Sequence, residues 1–194
     1  MILTGKEDLR IQRTIEAIQH SFCELICEKD YEQISVKELC ERARINKKTF
    51  YTYYTALDDL LAELQNTMSS EYVERISSFK LPEEVDKVIR EFYLYSEEKG
   101  PVYERITCSG NFQYIRQRMI NHVMQSTWYQ VPQLQECDQY TRNIFMTYMQ
   151  VTSVDLYKQW VADGKKIPLE EIIRITTQLV CGGVFAFMTN GIPL

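Results

Sequence analysis

The sequence predicts an all-α protein: an N-terminal three-helix unit of helix-turn-helix type, followed by a C-terminal helical bundle. Three observations carry that expectation. Only 7 Gly and 5 Pro interrupt 194 residues, too few turn formers for a sandwich or barrel, which needs a turn signal about every 8–12 residues. Apolar residues recur at i, i+3/i+4 and i+7 over long stretches, with no strand-like alternation worth placing. An apolar share of 45% with 12% aromatics is enough to bury a core, and 25% charge suits a soluble surface, which sets aside disordered and low-complexity classes.

The elements follow in chain order. Residues 9–29 carry Ile11, Ile15, Ile18, Phe22, Leu25 and Ile26 as one amphipathic stripe, broken at Asp30-Tyr31. Ser35-Val36-Lys37-Glu38 reads as a capping box, the serine oxygen taking an orphan backbone N–H and the glutamate reaching back to the serine's own N–H. The short helix it opens, at about Val36, turns Val36, Leu39, Cys40 and Ala43 inward and runs out near Arg44. Asn46 then caps a second short helix, Lys47 to Tyr53. Thr55-Ala56-Leu57-Asp58 opens a long helix through Leu60, Leu61, Leu64 and Met68 towards Phe79. Pro82-Glu83-Glu84 starts the next, with proline and acids in the first turn, and that helix stops by Gly100-Pro101. Further helices are expected over roughly 101–108, 112–129, 137–162 and 168–189. That makes nine, divided between a unit of residues 1–55 and a bundle of residues 56–194.

The last helix is apolar on more than one side, through Leu169, Ile172, Ile173, Ile175, Leu179, Val180, Val184, Phe185 and Phe187. A subunit interface through Leu179, Gly182, Gly183 and Phe187 fits this, the glycines being tolerable where two backbones approach closely. The other reading is the central helix of a monomeric bundle. The longest apolar run, Leu179 to Met188, is about half of the roughly 20 residues of a membrane span. The opening MILTGKEDLR shows no secretory pattern. A cytoplasmic protein without membrane contact is expected, its six cysteines reduced.

The net charge is −5, yet the window from Arg42 to Leu57 holds Arg42, Arg44, Lys47 and Lys48 and no acid, so it is +4 while the remainder is −9. An acidic chain with one basic patch holds a polyanion locally and repels it elsewhere. At about 100° per residue, Phe50 and Tyr54 share the core side of the second short helix. Lys48, Thr49 and Thr52 then lie opposite, flanked by Tyr51 and Tyr53, with Lys47 in the first turn. A helix entering the major groove needs that layout: Lys48, Thr49 and Thr52 for base edges, Tyr51 and Tyr53 for phosphates, and Ser35 with its helix start for a further phosphate. A solvated basic turn between core helices would show the same charge.

The stretch from Thr14 to Leu64 resembles the N-terminal DNA-binding domain of the TetR family of bacterial transcriptional regulators. The resemblance rests on Ala17 and Phe22, then Tyr31, Val36, Leu39, Ala43, Ile45 and Asn46, then Thr49-Phe50-Tyr51, Tyr53-Tyr54 and Asp58-Asp59-Leu60. It covers about a quarter of the chain, and spacing as well as residue type agrees across three helices. It implies DNA contacts from Ser35, Lys47, Lys48, Thr49, Tyr51 and Tyr53, to which the basic window adds Arg44. Three positions depart from the family: Arg44 stands where glycine is usual, so the turn there holds a strained left-handed residue or takes another shape; Asp30 replaces the glycine before Tyr31; Leu57 replaces a phosphate-touching lysine.

Downstream, Tyr103, Gly110-Asn111-Phe112 and Trp160 to Gly164 are similar to one C-terminal domain type of that family. The resemblance implies a homodimer through the last two helices and a regulatory bundle with a pocket for an unknown small-molecule effector. The aromatic- and Met-rich set Phe92, Tyr93, Tyr95, Met119, Val123, Met146 and Tyr148 is where such a pocket is expected, a plain helical core being the other reading. The functional expectation is a homodimeric regulator, a repressor, reading a palindromic double-stranded operator. The alternative is an interaction module of the same fold acting through a protein partner. His20, Cys23 and Cys27 share one helix face but give no closed tetrahedron, and His122 beside Met119 and Val123 reads as a satisfied histidine. Without a Ser elbow, a Gly-rich phosphate loop or HExxH, no enzyme, catalytic group, metal or cofactor is expected.

Overall fold

The computed structural model describes residues 8–189. In α1 (Leu9–Glu28), the Asp8 side chain accepts from the Arg10 N–H, and Ile15, Ile18, Phe22, Leu25 and Ile26 are buried along one face. That face packs on α2 (Val36–Arg42) and α3 (Lys47–Tyr53), which bring Leu39, Cys40 and Phe50 inward. Ser35 Oγ accepts the Glu38 N–H as the sequence predicts, but the Glu38 carboxylate pairs with Lys29 at 2.7 Å instead of reaching back to Ser35. A lysine within reach offers a carboxylate more than a neutral N–H does.

The turn between α2 and α3 closes as a Schellman motif: Ile45 N–H donates to Cys40 O at 3.0 Å and Arg44 N–H to Glu41 O at 3.3 Å. Arg44 takes φ +53°, the left-handed conformation glycine would supply without strain. Asp30, also in a glycine position, is extended at φ −73°, because the chain passes there into a one-turn 3₁₀ segment, Tyr31–Gln33.

Helix α4 (Leu57–Ile76) starts after Ala56, and Asp59 holds the entry, its Oδ2 accepting the N–H groups of Thr55 and Ala56 and the Thr55 hydroxyl. Those bonds keep the Asp59 carboxyl below its ordinary range. Leu60 and Leu61 join the core of α1 to α3, while Met68, Tyr72 and Ile76 carry the same core onward. The next helix, α5 (Val85–Cys108), begins later than the acidic start predicts. Residues 81–84 instead form a turn in which the Glu84 carboxylate accepts the Lys80 N–H. Gly100, at φ +63° and followed by Pro101, breaks α5 where the sequence places an end, so two predicted helices form one interrupted rod.

The bundle continues through α6 (Gln113–Ser126), the one-turn α7 (Pro132–Gln135), α8 (Gln139–Ala162) and α9 (Leu169–Thr189). The described residues thus hold nine α-helices, with α7 arising where only a break is predicted. By length and composition alone α9 could cross a membrane, but Ile172, Ile173, Thr176, Val180 and Val184 pack inward on α5 and α8.

Candidate nucleic-acid interface

α3 presents the face its periodicity requires. Phe50 and Tyr54 are buried with ring centroids 5.7 Å apart, and Lys47, Lys48 and Thr52 are exposed on the other side. Tyr51 is 55% exposed, resting edge-on against Phe50, and Tyr53 is half-buried. Thr49 is also half-buried. Its N–H and hydroxyl donate to Asn46 Oδ1 at 2.8 and 3.0 Å, so cap and candidate base reader share one side chain. The Thr52 hydroxyl donates to Lys48 O at 3.0 Å and retains its acceptor lone pairs. Ser35 is exposed, and its oxygen accepts the Glu38 N–H at 3.2 Å.

Charge on this surface differs from the sequence count. Arg42 is forked onto Glu28 at 2.6 and 2.7 Å and does not add to the patch; its hydrogen bonds hold the Glu28 carboxyl below its ordinary range. Arg44, Lys47 and Lys48 have no carboxylate partner among the described residues. Two cations that sequence reasoning missed join them. Arg10 and Arg13, exposed at the start of α1, line a shallow cleft with Ala43 and Ile45, the residues of the α2–α3 turn. Their signal was the unpaired basic spacing Arg10-x-x-Arg13 on the polar face of α1. Leu57, in the place of a phosphate-touching lysine, packs against the core.

A cavity of about 110 Å³ lies where α4, α5, α6 and α8 meet, bounded by Phe92, Met119 and Val123 of the predicted set. The other four lie elsewhere. Tyr93 bonds Thr176 at 2.8 Å and Tyr95 donates to Met68 O at 2.7 Å, each hydroxyl satisfied inside the core. Met146 packs in the core of α8 and α9, and Tyr148 donates to Leu179 O on α9. Sequence periodicity gives a helix's buried side but not which part of it borders empty space; Trp128, Met124, Met149 and Arg116 border the cavity unpredicted.

On α9, Leu179 is 54% exposed and Gly182 is exposed, alongside Phe185. Gly183 and Phe187 are half-buried and lie against α8 of the same chain. A Cβ on Gly183 would stand 2.2 Å from Tyr148 Oη, and Phe187 lies 5.0 Å from Phe145 between ring centroids. Tyr140, Ile144 and Val151 of α8 are exposed as well. Among the described residues no group of three or more His, Cys, Asp or Glu is placed to hold a metal ion. His20 meets Glu24 at 3.3 Å, and burial pushes the Cys23 thiol up to about 11.

Residues 23–64 match the family model described as "Bacterial regulatory proteins, tetR family". A relative described as the uncharacterized HTH-type transcriptional regulator YxbF of Bacillus subtilis (strain 168) is 30% identical over 78 residues, which is 40% of this chain and 20% of that relative's length. The crystal structure of a TetR transcriptional regulator from Streptococcus agalactiae 2603V superposes with a TM-score of 0.69 at 17% identity, covering 88% of this chain and 95% of that one. FadR from Bacillus subtilis in complex with stearoyl-CoA gives 0.61 at 15% identity, covering 92% and 99%. The structural likenesses establish the shared all-α fold.

Proposed function

We propose that this chain, whose residues 23–64 match the model of the tetR family of bacterial regulatory proteins, is a homodimeric, sequence-specific DNA-binding repressor answering to a small-molecule effector. The observation that carries the reading is α3: Lys48, Thr52 and Tyr51 exposed on one face of a helix bedded on Phe50 and Tyr54. Arg44, Lys47 and Lys48, without a carboxylate partner among the described residues, surround that face in a chain of net charge −5. Placed in a major groove, Lys48 and Thr52 reach base edges while Tyr51, Tyr53 and Ser35 meet phosphates, with Arg10 and Arg13 adding charge beside the turn.

The exposed Leu179, Gly182 and Phe185 of α9, with Ile144 and Val151 of α8, form an apolar face suited to a second copy of the chain. Two reading helices must then fall on half-sites about one helical turn apart, so a modest rotation spoils both contacts together. The cavity borders α4, which leads straight from the reading unit, and an effector there would act on that spacing; the stearoyl-CoA complex of Bacillus subtilis FadR is a ligand-bound example of the fold. The alternative of a protein-interaction module rests on Arg44 and Leu57; Arg44 closes its turn in the left-handed conformation and Leu57 packs against the core, and the exposed α3 face favours the DNA reading.

Selection of bound fragments from bacterial genomic DNA, followed by titration of the enriched site against salt, tests this. A palindromic site is expected, with log K falling by about 0.9 per log unit of salt for each phosphate neutralised. Lys48→Ala and Tyr51→Phe binding that site as tightly as the parent chain would overturn the contact assignment.

A further inference from the structure

The cavity's walls are mostly apolar, with Phe92, Met119, Trp128 and Met149 prominent, its uncharged polar groups are hydroxyls such as Ser69 and Ser153 and the amide of Gln150, and no aspartate or glutamate lines it. Arg116 of α6 is the one formally charged side chain on its wall. Its Nη1 donates to the carbonyls of Thr107 at 2.9 Å and Ser109 at 3.1 Å, which fixes the guanidinium against the carboxy end of α5. Nη2 and Nε have no protein partner among the described residues, and no carboxylate pairs with this arginine. Elsewhere in the bundle Arg75, Arg90, Arg105 and Arg174 each hold a carboxylate, from Glu98, Glu170, Asp30 and Glu171.

The carbonyls at the end of α5 compensate this half-buried cation in part, but it lacks the anionic partner that such charges ordinarily have. Its unused donors form a fork that matches a carboxylate bidentately. We propose that the cavity binds a compact amphiphilic carboxylate, its apolar body among the methionines and aromatic rings and its head on Arg116. The proposal rests on reading the cavity as the effector site. At about 110 Å³ the cavity is smaller than the roughly 150 Å³ apolar cavity that takes up benzene, so the ligand's body must be slender and must displace the flexible side chains of Met68, Met119, Met124 and Met149 as it enters.

The test uses the full chain without DNA and three probes with one apolar tail: octanoate, octan-1-ol and octylamine. Binding is followed by calorimetry and by the fluorescence of Trp128 on the cavity wall. Octanoate is expected to bind about tenfold or more tighter than the alcohol, as a charge-assisted hydrogen bond supplies, and the amine least. Arg116→Met is expected to erase that preference while leaving the alcohol's affinity, and Arg116→Lys to retain part of it. Equal or tighter binding of the alcohol, a preference that survives Arg116→Met, or no binding by any probe overturns the proposal. Should Arg116→Met fail to fold for want of its bonds to Thr107 and Ser109, the head-group series on the unmutated chain and Arg116→Lys still decide. Operator binding is measured separately without probe. Selective uptake of octanoate by a chain that binds no DNA sinks the regulator reading alone, and DNA binding without head-group preference sinks only this one.

Discussion

Ser69 Oγ lies 2.8 Å from His122 Nδ1, a hydrogen bond across the seam of α4 and α6. With its one proton donated to Gln65 O at 2.9 Å, the Ser69 oxygen accepts from the His122 Nδ1–H, and the residue borders the cavity, so one hydroxyl ties the cavity wall, the backbone of α4 and the side of α6 together. A double-mutant cycle of Ser69→Ala and His122→Ala, read by urea unfolding, is expected to give a coupling of about 0.5–1.5 kcal/mol. A coupling of zero within error would show that the bond adds nothing to the seam.

Arg13 and Arg42 are both basic residues of the reading unit, yet only Arg13 is free to meet a phosphate. Arg13→Ala is expected to reduce the slope of log K against log salt by about 0.9. Arg42→Ala should leave the slope unchanged and lower the unfolding midpoint, because Glu28 loses its fork. Fluorescence anisotropy on the selected DNA fragment, with a denaturation curve for each variant, separates the two behaviours.

Arg44 carries left-handed strain that glycine would not. The left-handed conformation costs an L-residue roughly 1–2 kcal/mol, partly offset by the greater freedom glycine brings to the unfolded chain. Arg44→Gly is therefore expected to raise stability by about 0.5 kcal/mol while weakening DNA binding through one lost cation. A lower unfolding midpoint in Arg44→Gly would contradict this account of the turn.

The two adjacent glycines of α9 should part company. Gly183→Ala forces a methyl into the Tyr148 ring and is expected to destabilise the fold by about 1–3 kcal/mol. A Cβ on Gly182 meets nothing within 4 Å in the single chain, so Gly182→Ala should fold normally and Gly182→Trp should shift the sedimentation equilibrium towards monomer.

Asp59 ties stability to pH. Its carboxyl is held below the ordinary 3.8 by the Thr55 and Ala56 donors, so its contribution is present above pH 3.8 and is lost as pH falls through the lower folded value. Asp59→Asn should therefore be less stable than the parent at pH 6, with the gap closing in acid. A pH-independent gap would assign the effect to packing.

The α3 cap at Asn46, the stripe of α1 and the break at Gly100 were legible in the sequence because each depends on chemistry within a few residues. The partners chosen across the fold were not. Glu38 turns to Lys29, Arg42 to Glu28 and Asp30 to Arg105, and in each case the deciding group is brought close only by tertiary packing. The exposed face of α3 followed from periodicity alone. The cavity did not, since Phe92, Tyr93 and Tyr95 are all aromatic residues within one turn of α5 and all pack against neighbours, and only those neighbouring helices determine which of them borders open space.

The ion pair of Asp30 with Arg105, at 2.8 Å, fastens the loop after α1 to the far half of α5, beyond the Gly100 break. The reading unit is thus anchored twice, once through the continuous rod of α4 and once through this bridge beside the seam of α1 and α5. Between those two ties the buried side chains of α1, α4 and α5 form one unbroken cluster, so the head has no loose joint of its own, and a tilt of it would have to carry α4 and the end of α5 along.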